Sequence, residues 1–371
     1  KDVYFTSILR DKDGKKFSKS LGNSPDPFTL FEEYGTDAVR FATMLMSPQG
    51  LDVLFSNDRL EIGRNFMNKL WNASRFVHMN LDGLNNENDK LDISQLEEPE
   101  RWILNRLDET AVEVNKLLNK FKFNEAAKLI YEFTWNDYCD WYIEIAKTRF
   151  YGNDNKKKEL AQKVAVKTLK GILTLLHPYA PFITEEIWSF FRNKDDLDLI
   201  VSPWINPHEF IPDDDALKSF EVIKSTISAV RMIRSKMNVP SNKRSNVIIR
   251  KGEKFESIIQ NNSAIIKSLG NIENISFSND SKKPKKSATV VTNQMEIFIP
   301  LEGLIDFEIE ISRLSKRLNE LDKHVASIKH KLTNKKFIDR APKEVVSHEK
   351  QKLDDMIVEY NLVKQNLDIL I

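Results

Sequence analysis

At 371 residues the chain exceeds one ordinary domain, and two to four units of roughly 100–150 residues are expected. Its 56 lysines and arginines nearly cancel 55 aspartates and glutamates, so a polyanion would be met by a local basic face rather than a global field. A lone cysteine, Cys139, excludes a disulfide framework and a cysteine-rich zinc site. No apolar run approaches membrane-spanning length and no signal segment opens the chain, so a cytoplasmic protein is expected.

Residues 1–9 are β-rich and read as a strand, and the absent initiator methionine reads as a start partway through a larger protein. Next comes Lys15-Lys16-Phe17-Ser18-Lys19-Ser20-Leu21-Gly22-Asn23, a lysine and serine loop preceded by Gly14. Two lysines separated by Phe-Ser put compact ammonium charges within reach of one polyanion. Serines add hydroxyl donors, and the glycines let the backbone swing. Such a loop suits closure over phosphates, where charge develops during attack at phosphorus. An isolated Lys/Ser run is most often a solvated surface loop, but this one is tethered to two short helices. Asp26 reads as an N-cap with Pro27 at the first helical position, Gly35 as the stop, and Thr36 as the cap of the following helix.

Residues 47–50 form a turn and 51–55 an extended connector. Ser56, Asn57 and Asp58 then offer caps for a long helix with Ile62, Phe66, Leu70 and Val77 at helical spacing, ended by the polar stretch 82–98. Pro99 opens a second helix on the stripe Ile103, Leu107, Ala111, Val114, Leu118 and Phe121. Asn124 reads as the cap of a third, carrying Ile130, Phe133, Tyr138, Trp141 and Ile145. Residues 152–158 separate a fourth, with Leu160, Val164, Leu169, Ile172 and Leu176. The run breaks at 176–181, and Thr184-Glu185-Glu186 restarts a short helix through Trp188 and Phe191. Amphipathic helices joined by short polar loops make an antiparallel bundle with its aromatics mainly in the core. Cys139, among Trp135, Tyr138, Trp141 and Tyr142, reads as a buried structural thiol. His177 has no second histidine or carboxylate at ligand spacing and is assigned no chemistry; no metal site is expected.

Asp213 to Asp215 cap a further helix to about Met237, with Val222, Ile223, Ile227, Val230 and Ile233 inward and Arg231, Arg234 and Lys236 on the exposed side. β-like runs at 246–249, 275–277, 289–291 and 295–300, with a helical piece at 255–269, compose a small α/β module. The basic run 281–286 within it reads as solvated surface. From Leu304, the residues Phe307, Ile311, Leu314, Leu318, Leu321, Val325, Ile328 and Leu332 alternate three and four apart, the seam of a coiled coil about 43 Å long. The pattern stops at 333–342 and resumes with Val346, Leu353, Ile357, Tyr360, Leu367 and Ile371, interrupted by Lys364, so the chain folds back as an antiparallel hairpin. Arg313, Lys316, Arg317, Lys323, Lys329, Lys331, Lys335, Lys336, Arg340 and Lys343 face only Glu320, Asp322 and Asp339 over the same span. A basic surface concentrated toward the hairpin tip, with Phe337 among the lysines, suits a nucleic-acid backbone.

Lys16-Phe17-Ser18-Lys19-Ser20 resembles the Lys-Met-Ser-Lys-Ser loop of class I aminoacyl-tRNA synthetases, with Phe17 in place of the usual methionine, and the likeness extends through Gly35-Thr36-Asp37-Ala38-Val39-Arg40-Phe41. Trp71-Asn72-Ala73-Ser74-Arg75-Phe76, Trp135-Asn136-Asp137-Tyr138-Cys139-Asp140-Trp141-Tyr142 and residues 176–188 resemble the anticodon-binding bundle of the valyl, isoleucyl and leucyl enzymes. The first of these strings, Ser47-Pro48-Gln49-Gly50, and Met237-Asn238-Val239-Pro240 look most like the valyl family. A projecting C-terminal coiled-coil arm is a hallmark of that family, whereas isoleucyl enzymes commonly end in a cysteine-bearing zinc module that this chain cannot build.

The resemblance implies ATP-dependent activation of valine, with Mg2+ accompanying the nucleotide, and transfer of valine to tRNA(Val). By motif position Lys16, Ser18, Lys19 and Ser20 would be catalytic. Lys16 and Lys19 would bind ATP and stabilise the pyrophosphate side of the transition state, with Phe17 an apolar anchor of altered shape. The tRNA contacts are placed on Arg313, Lys316, Arg317, Lys329, Lys331, Lys335, Lys336 and Arg340. The expected fold is mainly α: a short α/β lead-in with the catalytic loop (1–57), an antiparallel anticodon-binding helix bundle (58–212), a helix plus small α/β module (213–302) and a coiled-coil tRNA-binding arm (303–371). A monomer with no membrane partner is expected. The family's His-x-Gly-His motif occurs nowhere among the six histidines, so the chain alone is expected not to form an adenylate. Two alternatives stay open: an isoleucyl- or leucyl-type segment, and a non-catalytic tRNA/RNA-binding or scaffolding module in which Lys16 and Lys19 are a basic patch.

Overall fold

The computed structural model describes residues 3–48, 50–81, 91–193, 196–206, 213–278, 284–292, 295–334 and 342–371. The fold is mainly α and divides into two compact units, Lys1–Phe220 and Glu221–Ile371.

In the first unit, β1 (Leu9–Arg10) lies parallel to β2 (Val53–Leu54). Of the strand expected over 1–9, the described residues 3–8 are not strand and only Leu9 is, with Arg10 after it, because a strand persists only where a neighbour completes its ladder and β2 reaches no further. Helix α1 (Pro27–Tyr34) is capped as expected: Asp26 accepts from the Phe28 amide, Pro27 takes the first position, and Gly35 ends the helix at φ 91°. Thr36 is not a cap. Helix α2 (Thr36–Met46) begins on it, because Gly35 already occupies the junction, and no side chain caps that end. The Asp37 carboxylate instead accepts from the Ile183 amide at 2.6 Å, so it caps a different helix.

Helix α3 (Asn57–Met79) buries Leu60, Phe66, Leu70 and Val77, but Ile62 is 42% exposed because the stripe passes through Leu60 and Gly63 instead. A Cβ on Gly63 would stand 2.3 Å from the Ala38 carbonyl oxygen, so α2 and α3 approach closer there than any side chain permits. Helix α4 (Glu98–Asn119) buries Ile103, Leu107, Ala111 and Val114, and Phe121 falls beyond its end with φ 58°. Helix α5 (Phe123–Glu132) starts before Asn124: Lys122 is the cap residue, and its amide closes the preceding turn onto Leu117 O at 2.9 Å.

From α5 the rod continues through a π-helical segment (Phe133–Tyr142) into α6 (Ile143–Phe150). Tyr138 and Tyr142, both fully buried, donate to Ala165 O (3.0 Å) and Ala161 O (3.3 Å) of α7 (Asn155–Leu176). Cys139 beside them is buried, and burial pushes its thiol up to about 12, which fits the structural role expected. Helix α8 (Pro181–Phe191) opens at Pro181, three residues before the expected restart, since proline at the first position forfeits no intrahelical bond.

Helix α9 (Asp214–Lys236) begins beyond Asp213, whose carboxylate accepts from the Ala216 amide, and buries Val222, Ile223, Ile227, Val230 and Ile233. Arg234, expected on the exposed side, is only 8% exposed: three carbonyls and a hydroxyl from neighbouring loops close over its guanidinium. In the second unit β3 (Ser245–Arg250), α10 (Glu256–Asn261), α11 (Ser263–Gly270), β4 (Ile272–Phe277), β5 (Ser287–Thr292) and β6 (Met295–Pro300) form a four-stranded sheet in the order β4-β3-β6-β5. Strands β3 and β4 are parallel and the other pairs antiparallel. The basic run 281–286 lies partly outside the described residues.

Helices α12 (Phe307–Thr333) and α13 (Lys343–Leu370) pack along one another. The pairs Arg317–Glu359 and Lys331–Glu349 run in opposite order along the two helices, which makes the hairpin antiparallel. On α13 the packed seam passes through Val363 and Leu370. Lys364 therefore sits beside the seam rather than interrupting it, and Ile371, expected on it, is 83% exposed. Leu353, Met356, Tyr360, Val363, Leu367 and Leu370 keep the three-four alternation unbroken.

Candidate functional site

The lysine loop is a small hydrogen-bonded knot. A turn closes from the Asp11 amide to Lys15 O (2.9 Å) and from the Gly14 amide to Asp11 O (3.0 Å), with Gly14 at φ 77°. Arg10 and Lys16 form an isolated antiparallel bridge. Asn23 then ties the loop shut: its Nδ2 donates to Asp11 Oδ2 (2.7 Å) and Lys16 O (3.2 Å), and its Oδ1 accepts from the Ser18 amide (2.9 Å). Asp11 Oδ1 also accepts from the amides of Asp13 and Lys15. In the sequence Asn23 is only the last residue of the loop; its three reaches across it depend on a folded geometry that no spacing rule encodes.

Those ties present the expected residues outward. Lys16, Lys19 and Ser20 are exposed and Ser18 is half-buried, with the two serine hydroxyls 2.8 Å apart. Among the described residues neither Lys16 nor Lys19 has an ion pair, so both ammonium charges are available to an anion. Phe17 points the other way and packs edge-on against Phe55, centroids 5.7 Å apart, as an apolar anchor should. An open depression of about 430 Å³ lies between them, lined by Asp11, Phe17, Asn23, Pro25, Phe55 and others.

The Asn23 amide, with two backbone amides, holds the Asp11 carboxyl below its ordinary value. A lowered carboxylate contributes its share of the clamp above the ordinary pKa of about 4 and loses it as the pH falls through the folded value. Asn23→Ala is expected to raise amide exchange at Ser18 by about tenfold, the equivalent of roughly one to two hydrogen bonds, while leaving α3 and α4 protected. Unchanged exchange at Ser18, read by mass spectrometry, would show that Asn23 does not hold the loop.

The hairpin supplies the second set of expected residues. Arg313 is paired with Glu310 (2.6 Å), Arg317 with Glu359 (2.6 Å) and Lys331 with Glu349 (2.7 Å). The expectation that these cations face only Glu320, Asp322 and Asp339 is thus corrected: Glu310 of α12 meets Arg313, and α13 brings Glu359 to Arg317 and Glu349 to Lys331. Lys316 and Lys329 are exposed with no ion pair among the described residues, and Lys335, Lys336, Phe337 and Arg340 lie outside those residues. Charge is nonetheless segregated along the hairpin. Residues 323–352 carry nine cations against three acids, whereas 303–322 with 353–371 carry four against nine.

A third feature escaped sequence reasoning. Between α3 and α8, Trp71, Ser74, Arg75, His78, Ile187 and Phe190 line a cleft of about 240 Å³. Trp71 and Phe190 meet at 6.1 Å and 74°, and His78 lies 5.7 Å from the Phe190 ring. Aromatic faces beside an exposed arginine are the elements of base stacking. His177, by contrast, is occupied: its Nδ1 lies 2.8 Å from the Thr184 hydroxyl, and burial lowers its pKa, consistent with a helix-end role.

Three family models match in chain order: tRNA synthetases class I (I, L, M and V) over residues 1–56, the anticodon-binding domain of tRNA ligase over 100–249, and the valyl tRNA synthetase tRNA binding arm over 306–370. Valine–tRNA ligases of Syntrophotalea carbinolica and Listeria innocua are 42% and 39% identical over 372 residues, covering all of this chain. The chain belongs with the valyl-tRNA synthetases, whose C-terminal part it matches. It spans about two-fifths of those relatives' length, 41% and 42%. Among solved structures, a ternary complex of Agrobacterium radiobacter K84 agnB2 LeuRS with tRNA and LeuAMS is 23% identical, with a TM-score of 0.43 over 57% of this chain and 25% of that one. The hairpin thus coincides with the valyl-tRNA synthetase arm, and the lysine loop with the class I match.

Proposed function

We propose that the chain is the tRNA-facing part of an enzyme that ligates valine to tRNA(Val) with ATP. The supporting observation is the alignment of valine–tRNA ligases over its entire length, from lysine loop to arm. That breadth, with an arm named for the valyl enzyme, favours it over an isoleucyl- or leucyl-type segment and over a scaffolding module. In the first step a valine carboxylate oxygen attacks the α-phosphorus of ATP, the bond to the β-phosphate oxygen breaks, and pyrophosphate leaves. Lys16 and Lys19, exposed and without ion pairs among the described residues, are suited to the oxygens of that leaving group, while Ser18, Ser20 and Asn23 hold the loop that carries them. Mg2+, which the family implies, would accompany the nucleotide.

In this reading the four parts divide the labour. Residues 1–57 bring the loop, 58–212 receive the anticodon, with the Trp71–Phe190 cleft offered to an unpaired base, 213–302 join bundle to arm, and 303–371 form a coiled-coil arm along the tRNA. A cytoplasmic monomer goes with it. The chain alone, lacking His-x-Gly-His, is expected to catalyse no valine-dependent ATP–pyrophosphate exchange; turnover by it would overturn that part.

The arm is tested by binding. Reversing Lys329, Lys331, Lys335 and Lys336 to glutamate is expected to weaken tRNA(Val) binding and flatten its salt dependence by about 0.7–0.9 in log–log slope per lost phosphate contact. An unchanged slope in filter binding would remove these residues from the interface.

A further inference from the structure

Residues 222–252 contain no aspartate or glutamate but eight lysines and arginines. Three of the eight meet acids from outside that stretch: Lys224 pairs with Glu221, and Arg250 and Lys251 both reach Glu296. The rest cluster where α9 ends and turns into β3. Arg234 belongs to that cluster and is buried, yet among the described residues every partner of its guanidinium is neutral. Its Nη1 donates to Ser245 Oγ (2.6 Å) and Asn271 O (3.5 Å), and its Nη2 to Pro240 O (3.0 Å) and Lys243 O (2.8 Å). A buried cation without a counter-charge is costly unless an anion can approach it.

The surroundings give an anion room and donors. Arg234, Ser235, Asn238, Val239, Ser241 and Asn271 line an open depression of about 500 Å³. The turn is stiffened by Asn238 at φ 47° and by Asn271 at φ 52°, whose Nδ2 donates to Ser241 O at 2.6 Å. Lys236 and Arg244 are exposed beside it with no ion pair among the described residues, and Lys243 Nζ donates to Gly303 O at 2.7 Å. Among the described residues the acid hydrogen-bonded to the lining is Glu310, 3.3 Å from Asn238 Nδ2, and Arg313 already engages both its oxygens.

Resting on the tRNA-facing reading above, we infer that the end of α9 and the turn into β3 form a second RNA-binding surface, which takes the phosphodiester backbone. Arg234 supplies the fixed charge behind the depression, Ser235, Asn238 and Ser241 supply hydroxyl and amide donors, and Lys236 and Arg244 meet flanking phosphates. The depression is open rather than enclosed, and Lys236, Lys243 and Arg244 add charge outside its lining, which suits a polymer better than a free anion. Contacts of this kind position RNA and carry no sequence preference.

The test uses the whole chain, purified tRNA(Val) transcript and filter binding across a salt series. Lys236→Gln with Arg244→Gln is compared with Lys218→Gln with Lys285→Gln, two exposed lysines outside both the arm and the depression, which removes the same charge elsewhere. The first pair is expected to weaken binding about tenfold and to reduce the salt slope by about 1.4–1.8, the control pair to change neither, and thermal melting to be the same for both. Equal losses in the two pairs would reduce the effect to net charge and overturn the assignment. An unaltered slope in the first pair, with binding still weakened by the arm reversals, would overturn the surface and leave the tRNA reading standing. Absence of salt-dependent tRNA binding by the unmodified chain would sink both.

Discussion

Lys19→Ala is expected to lower valine-dependent ATP–pyrophosphate exchange about 100-fold when made in a full-length ligase that carries this segment, with much less effect on the KM for valine. The magnitude follows from the geometry of the loop. Lys19 is exposed, has no competing carboxylate among the described residues, and projects from a turn held by the Asn23 ties and the Phe17–Phe55 contact. Its charge is therefore free to act where charge develops in the transition state. Lys19→Arg keeps the charge but replaces a compact ammonium with a planar fork, and should recover only part of the rate. A loss of less than about threefold in the alanine variant would remove Lys19 from the transition state.

The second large effect lies in the core of the first unit. Arg149, on α6, engages Glu100 near the start of α4 and Glu97 at 2.9 Å, and Lys157 meets the other Glu97 oxygen at 2.7 Å. Glu100 is fully buried, and its Oε2 has no partner among the described residues. Arg149→Met strands that carboxylate and is expected to cost about 3–5 kcal/mol, which lowers the melting midpoint by on the order of 10 °C. Burial already pushes the Glu100 carboxyl above its ordinary value, against the pull of Arg149. A raised carboxyl holds its proton in the folded state at pH values where the unfolded chain has released it. Its charge therefore destabilises the fold as pH rises above the ordinary carboxylate pKa of about 4.3, and the penalty is relieved by acid. The variant's deficit relative to the unmodified chain should accordingly shrink between pH 7 and pH 5, and Glu100→Gln added to Arg149→Met should recover part of it at pH 7. A deficit equal at both pH values and untouched by the glutamine would mean that lost packing, not a stranded charge, sets the cost.

Much of this molecule was legible in its sequence because its helices carry long, regular apolar stripes. The stripe Ile103, Leu107, Ala111 and Val114 is buried where the spacing puts it, and the β-runs of the small module are strands within a few residues. The misses share one cause, a decision made by residues distant in the chain. Asp37 reaches out of its own helix to cap α8, Arg234 turns inward because two loops present three carbonyls to it, and the arm's cations find acids on the returning helix. At the lysine loop, composition announced the charges, but the residue that holds them in place, Asn23, gave no signal. The aromatic cleft between α3 and α8 was equally silent, since an outward Trp71 and an inward one have the same letter.

The uneven charge of the hairpin has a mechanical meaning. A rod whose cations lie toward its tip and whose acids lie toward its base is an electric dipole about 40 Å long, judged from the residue count of α12. Such a rod in the field of a polyanion feels a torque as well as a pull: the tip is drawn in while the base is pushed away. It is therefore turned end-on before any side chain touches, at distances of about a Debye length, roughly 8 Å in physiological salt. Rearranging the same charges evenly along both helices would preserve net charge and hydrophobic seam, yet abolish that alignment.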